Sequence, residues 1–179
     1  MSNTDFETDR LQLRPRTMAD YEACLAMDRD PEVVQFVSGP WTDPADHESF
    51  LKHRMLADFG VGFGYWSIYS RHCRAEFLGW VLLIPYDTIG PEIEIGWRLN
   101  RAAWGRGFAA EAARPIICHA FDELRLHSVV ADIHPHNVAS IRVAEKVGMT
   151  FRGEGQHAGA PCKRYEMTQL EFLAAGNAD

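Results

Sequence analysis

Trp97-Arg98-Leu99-Asn100-Arg101-Ala102-Ala103-Trp104-Gly105-Arg106-Gly107-Phe108-Ala109-Ala110-Glu111 is the stretch on which the reading of this chain turns. A strand ends, two glycines bend the chain, and a helix starts. Several backbone N–H groups are then exposed at the positive end of a helix dipole, which is a phosphate site by construction. A Cβ at either glycine would block close approach of an anion. Arg98, Arg101 and Arg106 add positive charge nearby. A tight strand-to-helix turn alone would also account for the glycines. Gly105, Gly107 and Ala110 fit the dinucleotide pattern G-x-G-x-x-A. Against that reading, several strands precede the loop, and only about 70 residues follow it, too few for a doubly wound domain. No Gly-Lys-Ser/Thr follows either, so it is not a Walker loop.

Upstream, residues 10–14 (RLQLR) alternate Leu11 and Leu13 with polar residues, as a half-buried strand does. Residues 17–20 (TMAD) form a capping box opening a helix with Tyr21, Leu25 and Met27 inward. Asp43-Pro44 starts a second helix, running to about Asp58. Residues 65–69 and 77–84 are strands joined by the polar hairpin SRHCRAE. In the strand at 91–99, Ile93, Ile95, Trp97 and Leu99 point one way, and Glu92, Glu94, Gly96 and Arg98 the other.

Downstream, residues 109–124 read as an amphipathic helix interrupted by Pro115, which leaves the Glu111 carbonyl without its usual partner. Residues 128–133 are an apolar strand, 137–147 a helix ended by Gly148, and 151–155 and 164–170 strands. The order β-α-α-β-β-β-α-β-α-β-β predicts an α/β domain with a mixed sheet. The helix after Gly107 is long enough to join two parallel strands.

The 179 residues are expected to form one domain. Hydrophobic residues at 46% and charged residues at 24% exclude a disordered chain, a collagen-like repeat and a disulfide-rich toxin. The apolar stretch 80–85 is far short of the ~20 residues a membrane span needs. The polar, acidic start MSNTDFETDR is neither a signal nor a transit peptide. A net charge of −7 argues against a nucleic-acid partner. It suits solubility, or steering of a cationic substrate. Cys24, Cys73, Cys118 and Cys162 are scattered without a CxxC pair, as expected of reduced thiols in a cytoplasmic protein. His134-Pro135-His136 lacks a carboxylate set and reads as a strand-end loop, so no metal is expected. Cys118 and His119, about 100° apart on a helix, are not a nucleophile–base pair.

The sequence resembles the GCN5-related N-acetyltransferases, and within them the branch that acetylates N-terminal amines (alanine or serine) of ribosomal proteins. Four pieces carry the resemblance in order: residues 10–15, residues 94–97, residues 104–112, and residues 137–140 with 145–149. Trp104 stands where the superfamily's loop often has Gln or Arg. The resemblance implies a mixed, mostly antiparallel sheet of about seven strands, a splayed parallel pair at its centre, and flanking helices. It implies acetyl-CoA as donor, with the pantetheine between the splayed strands. Trp97 and Leu99 would offer main-chain groups to the pantetheine. Arg106, Gly107, Phe108, Ala109 and Ala110 would wrap the pyrophosphate. Asn137 would bond the pantetheine arm, cap the following helix, or do both.

Acetyl transfer to an amine requires loss of an amine proton, a donor for the thioester oxygen, and relief of the leaving thiolate. A carboxylate on the central strand is a frequent base in this family. Glu94 fits, with Glu92 on the same face as second choice; either would otherwise be a solvated strand-face charge. A backbone N–H near Trp97 or Arg98 is the expected oxyanion donor. Ser140 is the candidate acid, or hydrogen-bond donor, for the departing sulfur; otherwise it is a first-turn helix serine. The expected acceptor is a small-molecule amine or a protein N-terminus, in a ternary complex with direct attack, on a monomer or homodimer. The helices between Thr17 and Asp58 and the hairpin around 156–162 are expected to build the acceptor channel, with Trp41, Phe59, Phe63 and His157 as candidate lining. A non-catalytic acyl-CoA binding or sensing module would use the same fold but need neither Glu94 nor Ser140. A nicotinamide or flavin enzyme would instead retain a dinucleotide.

Overall fold

The computed structural model describes residues 4–73 and 76–176. Residues 1–3 of the acidic start, and 74 and 75 of the expected hairpin, lie outside that range. Eight strands form one sheet: β1 (Phe6–Glu7), β2 (Leu11–Pro15), β3 (Gly64–Ser70), β4 (Phe77–Pro85), β5 (Ile93–Leu99), β6 (Ser128–Ile133), β7 (Thr150–His157) and β8 (Ala160–Thr168). The helices are α1 (Tyr21–Asp28), α2 (Pro31–Val34), α3 (Pro44–Leu56), α4 (Phe108–Cys118), α5 (Val138–Lys146) and α6 (Gln169–Gly176). The strand order is β1-β2-β3-β4-β5-β6-β8-β7. Among the described residues only β5 and β6 are parallel, and α4 is the crossover that such a pair requires.

Local chemistry explains most element starts. Thr17 closes its capping box with Asp20 ahead of α1, and Asp43 caps α3 with Pro44 at the first helical position. Asp30-Pro31 repeats that device for α2, a short helix not expected from periodicity. The added strand, β1, has two residues, too few to show alternation. Phe6 holds it by packing on Trp66 and His119.

Several expected ends shift, and the late strands expected at 151–155 and 164–170 run over Thr150–His157 and Ala160–Thr168. The helix expected over 109–124 is regular only to Cys118 and continues as a wider π turn over His119–Glu123, beginning four residues past Pro115. There the Leu124 N–H reaches back to the His119 carbonyl. The strand expected to reach residue 170 stops at Thr168, because Thr168 and Glu171 form a reciprocal cap that opens α6.

The sheet is covered on both faces. On one, Leu11, Leu13, Trp66, Ile68, Val81, Leu83 and Ile95 pack under the apolar stripe of α4, Ala112, Ala113, Ile116 and Ile117. On the other, Trp80, Leu82 and Ile84 pack under Cys24, Leu25 and Met27 of α1 and Leu51 of α3. Strand β4 feeds both cores, alternating from Trp80 to Ile84 beyond the irregularity at Gly79, and seven successive residues, 78–84, are buried. The alternation expected for β5 also holds. Ile95 and Leu99 enter the α4 core, with Ile93 and Trp97 packed against it.

Candidate functional site

The parallel pair barely forms. Its ladder has a single register position, Glu94 opposite Val130, whereas β5 stays paired to β4 from Ile93 to Leu99. Beyond Glu94, β6 leaves β5, and a cavity of about 400 Å³ takes the place of the missing ladder. Glu94, Gly96, Trp97 and Arg98 of β5, Ala131 and Ile133 of β6, and Asn137 and Ser140 around the start of α5 line it. Phe36, Trp41, Phe50 and Leu51 close it from the side of α2 and α3, and His157 and Cys162 from the β7–β8 hairpin. Of the residues expected to line an acceptor channel, Trp41 and His157 line this cavity. Phe59 and Phe63 line a neighbouring cavity instead.

Glu94 lines this cavity and is otherwise largely enclosed by protein. That desolvation pushes its carboxyl above the ordinary carboxylate range, against the opposing charges of His157 and Arg54. Glu92, exposed, is tied at 2.9 Å to Arg164. Asp132, on β6, is a cavity residue with no sequence signal. Burial alone would raise it, but hydrogen bonds from Arg164 and Tyr86 hold it below the usual range. Arg164 clamps it with two N–H groups at 3.0 and 3.1 Å. The Tyr86 hydroxyl lies between Asp132 and Nδ1 of His157. Glu94 and Asp132, opposite in their shifts, share one cavity.

The second arm of the site is the glycine loop. Gly107 is the N-cap of α4 with φ of 79°, a left-handed conformation that favours glycine. Among the described residues, nothing accepts a hydrogen bond from the N–H groups of Arg106, Gly107, Phe108, Ala109 or Ala110, the donors that a helix start leaves open. A Cβ on Gly107 would stand 3.6 Å from Nη2 of Arg10 and 3.7 Å from Nζ of Lys146. Arg106 and Arg10 both lie over the Phe108 ring. Glu111 accepts from Thr8, from the Arg10 backbone and from the Arg10 guanidinium, and so locks α4 to the β1–β2 turn. Lys146 and Arg10 come from opposite ends of the chain, so nothing local in the sequence pointed to them. Trp104, in the atypical position, donates its indole N–H to the Leu99 carbonyl at 2.9 Å and ties the loop to β5. This leaves the Leu99 carbonyl already engaged, while Trp97 lines the cavity.

Open donors at a helix start, three cations beside them and a strand gap leading to a carboxylate suit a long, phosphate-ended thioester. Residues 10–150 match the acetyltransferase (GNAT) domain family. The chain belongs to the GNAT acetyltransferases. It is 42% identical to an uncharacterised N-acetyltransferase of Bacillus subtilis, over 82% of this chain and 82% of that protein. It is 33% identical to the FsC-acetyl coenzyme A-N(2)-transacetylase of Aspergillus fumigatus, over 80% of this chain and 63% of that protein. The crystal structure of an acetyltransferase from Agrobacterium tumefaciens superimposes with a TM-score of 0.77 at 30% identity, covering 93% of this chain and 95% of that one. This GNAT protein is an N-acetyltransferase, with acetyl-CoA as the acetyl donor and an amine as the acceptor.

In this acetyltransferase Asn137 caps α5: its Oδ1 accepts from the Ser140 N–H at 3.1 Å. The cap leaves its Nδ2 for a ligand, so both sequence readings of Asn137 are compatible. Of the residues singled out from sequence, Glu94, Trp97, Asn137 and Ser140 meet at the cavity. Leu99, Arg106, Gly107, Phe108, Ala109 and Ala110 do not line it and belong to the loop arm. No helix among the described residues is long and apolar enough to cross a membrane.

Proposed function

We propose that this enzyme acetylates a small primary amine by direct attack in a ternary complex, with Glu94 as the base. The observation that carries the proposal is the desolvated Glu94 at the point where the β5–β6 ladder ends. A carboxylate with raised proton affinity is a better base near neutral pH than an ordinary one. Acetyl-CoA supplies an acetyl group activated as a thioester. The open N–H groups from Arg106 to Ala110, with Arg10 and Lys146, would hold the pyrophosphate. Asn137 and the main chain at Trp97 and Leu99 would hold the pantetheine, Leu99 through what its bond to Trp104 leaves. Glu94 takes the proton the amine must lose as the N–C bond forms, directly or through water. The N–H of Trp97 or Arg98 faces the charge developing on oxygen. Ser140 donates a hydrogen bond to the sulfur released as the C–S bond breaks, and solvent completes its protonation. Asp132 stays ionised and positions Tyr86 and His157 beside the acceptor.

The likeness of residues 10–15 and of Ser140 to the ribosomal-protein branch supports a protein N-terminus as the second acceptor class. A panel of small amines and N-terminal peptides with acetyl-CoA, read by free-thiol release, decides between them. On the working acceptor, Glu94→Gln lowers kcat roughly 10²-fold or more, part of it recovered at high pH, while Glu92→Gln changes the rate little. A Glu94→Gln enzyme with parental kcat and pH profile rejects Glu94 as base.

A further inference from the structure

The cavity that holds Glu94 carries two guanidinium groups that make no ion pair, although Asp28 and Glu94 lie near enough to be felt. Elsewhere in the molecule half-buried arginines are neutralised: Arg14 by Asp20 at 2.7 Å, Arg98 by Asp28 at 2.7 Å, Arg164 by Asp132 at 3.0 Å. Arg16 and Arg54 differ. Both line the cavity, and both also line the smaller one of about 230 Å³ beside it, so they form the partition between the two. Among the described residues neither has a carboxylate at ion-pair distance, and Nη1 of Arg54 is buried with no hydrogen-bond partner. Arg16 hydrogen-bonds the Cys24 side chain and otherwise makes a long bond, 3.5 Å, to the Arg54 carbonyl.

Aromatic rings hold both heads in place. Arg16 lies 3.6 Å over Tyr65, and Arg54 5.5 Å over Phe50. A stacked guanidinium keeps its N–H edges for in-plane acceptors. Burial pulls the proton affinity of Arg16 below its usual range, and no carboxylate at bonding distance restores it. An uncompensated buried charge is costly and persists where a ligand neutralises it. Glu94 feels the charge of Arg54 but makes no ion pair with it. That coupling also places the partition within the reach of one small molecule whose amine sits at Glu94.

We infer that the acceptor carries an anionic group, carboxylate or phosphonate/phosphate in type, which binds Arg16 and Arg54 while its amine faces Glu94. This deepens the small-amine reading and rests on it. It also reverses the expectation from net charge: −7 favours cations at long range, but this end of the cavity is positive. A polyamine would bring like charge to two desolvated cations.

The test compares glycine, β-alanine and γ-aminobutyrate, each against its own amide, with aminoethylphosphonate and spermidine as further arms. Initial rates with saturating acetyl-CoA are read by thiol release. For the acid whose amine–anion spacing fits, kcat/KM exceeds that of its amide at least ~tenfold, carried by KM. Arg54→Gln and Arg16→Gln each bring that ratio towards one. The phosphonate arm tells a carboxylate site from a phosphate site. Calorimetry of the preferred acid on the CoA-saturated protein gives a second reading, in which Arg54→Gln weakens acid binding at least ~tenfold; a retained Kd for CoA certifies that the variant is folded. Amides or spermidine used as well as the acids, or a ratio unchanged in both variants, overturns the inference alone. If CoA binds but no small amine of any charge is acetylated, the small-amine reading falls, and this one with it.

Discussion

Glu94 sits where two requirements conflict. A base needs a lone pair at neutral pH, yet the enclosure that raises its proton affinity penalises its charge. The folded value lies above the unfolded one, so Glu94 costs the fold nothing while protonated in both states, and stability is lost as pH rises through the folded value. Glu94→Gln is therefore expected to melt above the parent at about pH 8, with the gap closing as pH falls below the ordinary Glu value of about 4.3. A melting series across pH, on the same variant whose kcat falls, checks this. Gly107 is the corresponding residue on the donor side. Gly107→Ala puts a Cβ between Arg10 and Lys146 in a left-handed backbone. The Kd for CoA should rise at least ~tenfold, measured by calorimetry on folded protein.

At the scale of elements, two helix starts carry separable chemistry. Asn137 caps α5 through Oδ1, so Asn137→Ala should cost about 1 kcal/mol of stability without ligand. If Nδ2 also holds the pantetheine, the loss is larger in saturating CoA, because ligand binding adds to stability in proportion to affinity. An equal shift in melting with and without CoA leaves only the cap. At α6 the Thr168–Glu171 box holds the Glu171 carboxyl down to about 2, chiefly through the Thr168 backbone N–H, with the Thr168 and Thr150 hydroxyls and Arg152 adding. That stabilisation is present above the ordinary Glu value of about 4.3 and is lost as pH falls towards the folded value. Glu171→Gln should be the less stable protein at neutral pH and approach the parent in acid, followed by denaturant titration at several pH values.

Across the whole molecule, the sheet separates the α4 core, whose helix residues lie away from the cavity, from one that also lines it. Ile116 is fully buried in the α4 core, away from the cavity. Leu51 is buried in the opposite core and lines the cavity. Each substitution to Ala is expected to cost about 2–5 kcal/mol in chemical unfolding. Only Leu51→Ala should also raise the acceptor KM. Arg54, on α3, and Arg16, just after β2, line that same cavity, so on the proposed reading they and Leu51 shape the acceptor end of it.

What the sequence determined by itself is local. The strand–glycine–helix turn at 97–111, the Asn137 cap, the Asp43-Pro44 start and the alternation of β5 each rest on residues within a few positions of one another. Their physics, φ preference, capping and a period of two, acts over that range. The Asp30-Pro31 start and the Thr168–Glu171 box rest on residues just as close together, yet no helix was expected at 31 and a strand was expected to reach 170. The ladder that stops after Glu94, the clamp of Arg164 and Tyr86 on Asp132, the cations of Arg10 and Lys146 beside Gly107, and the bare pair of Arg16 and Arg54 were decided only by the tertiary structure. Each joins residues from separate elements. Strand register and helix packing bring such side chains together, and burial then sets which charge finds a partner and which is left for a ligand.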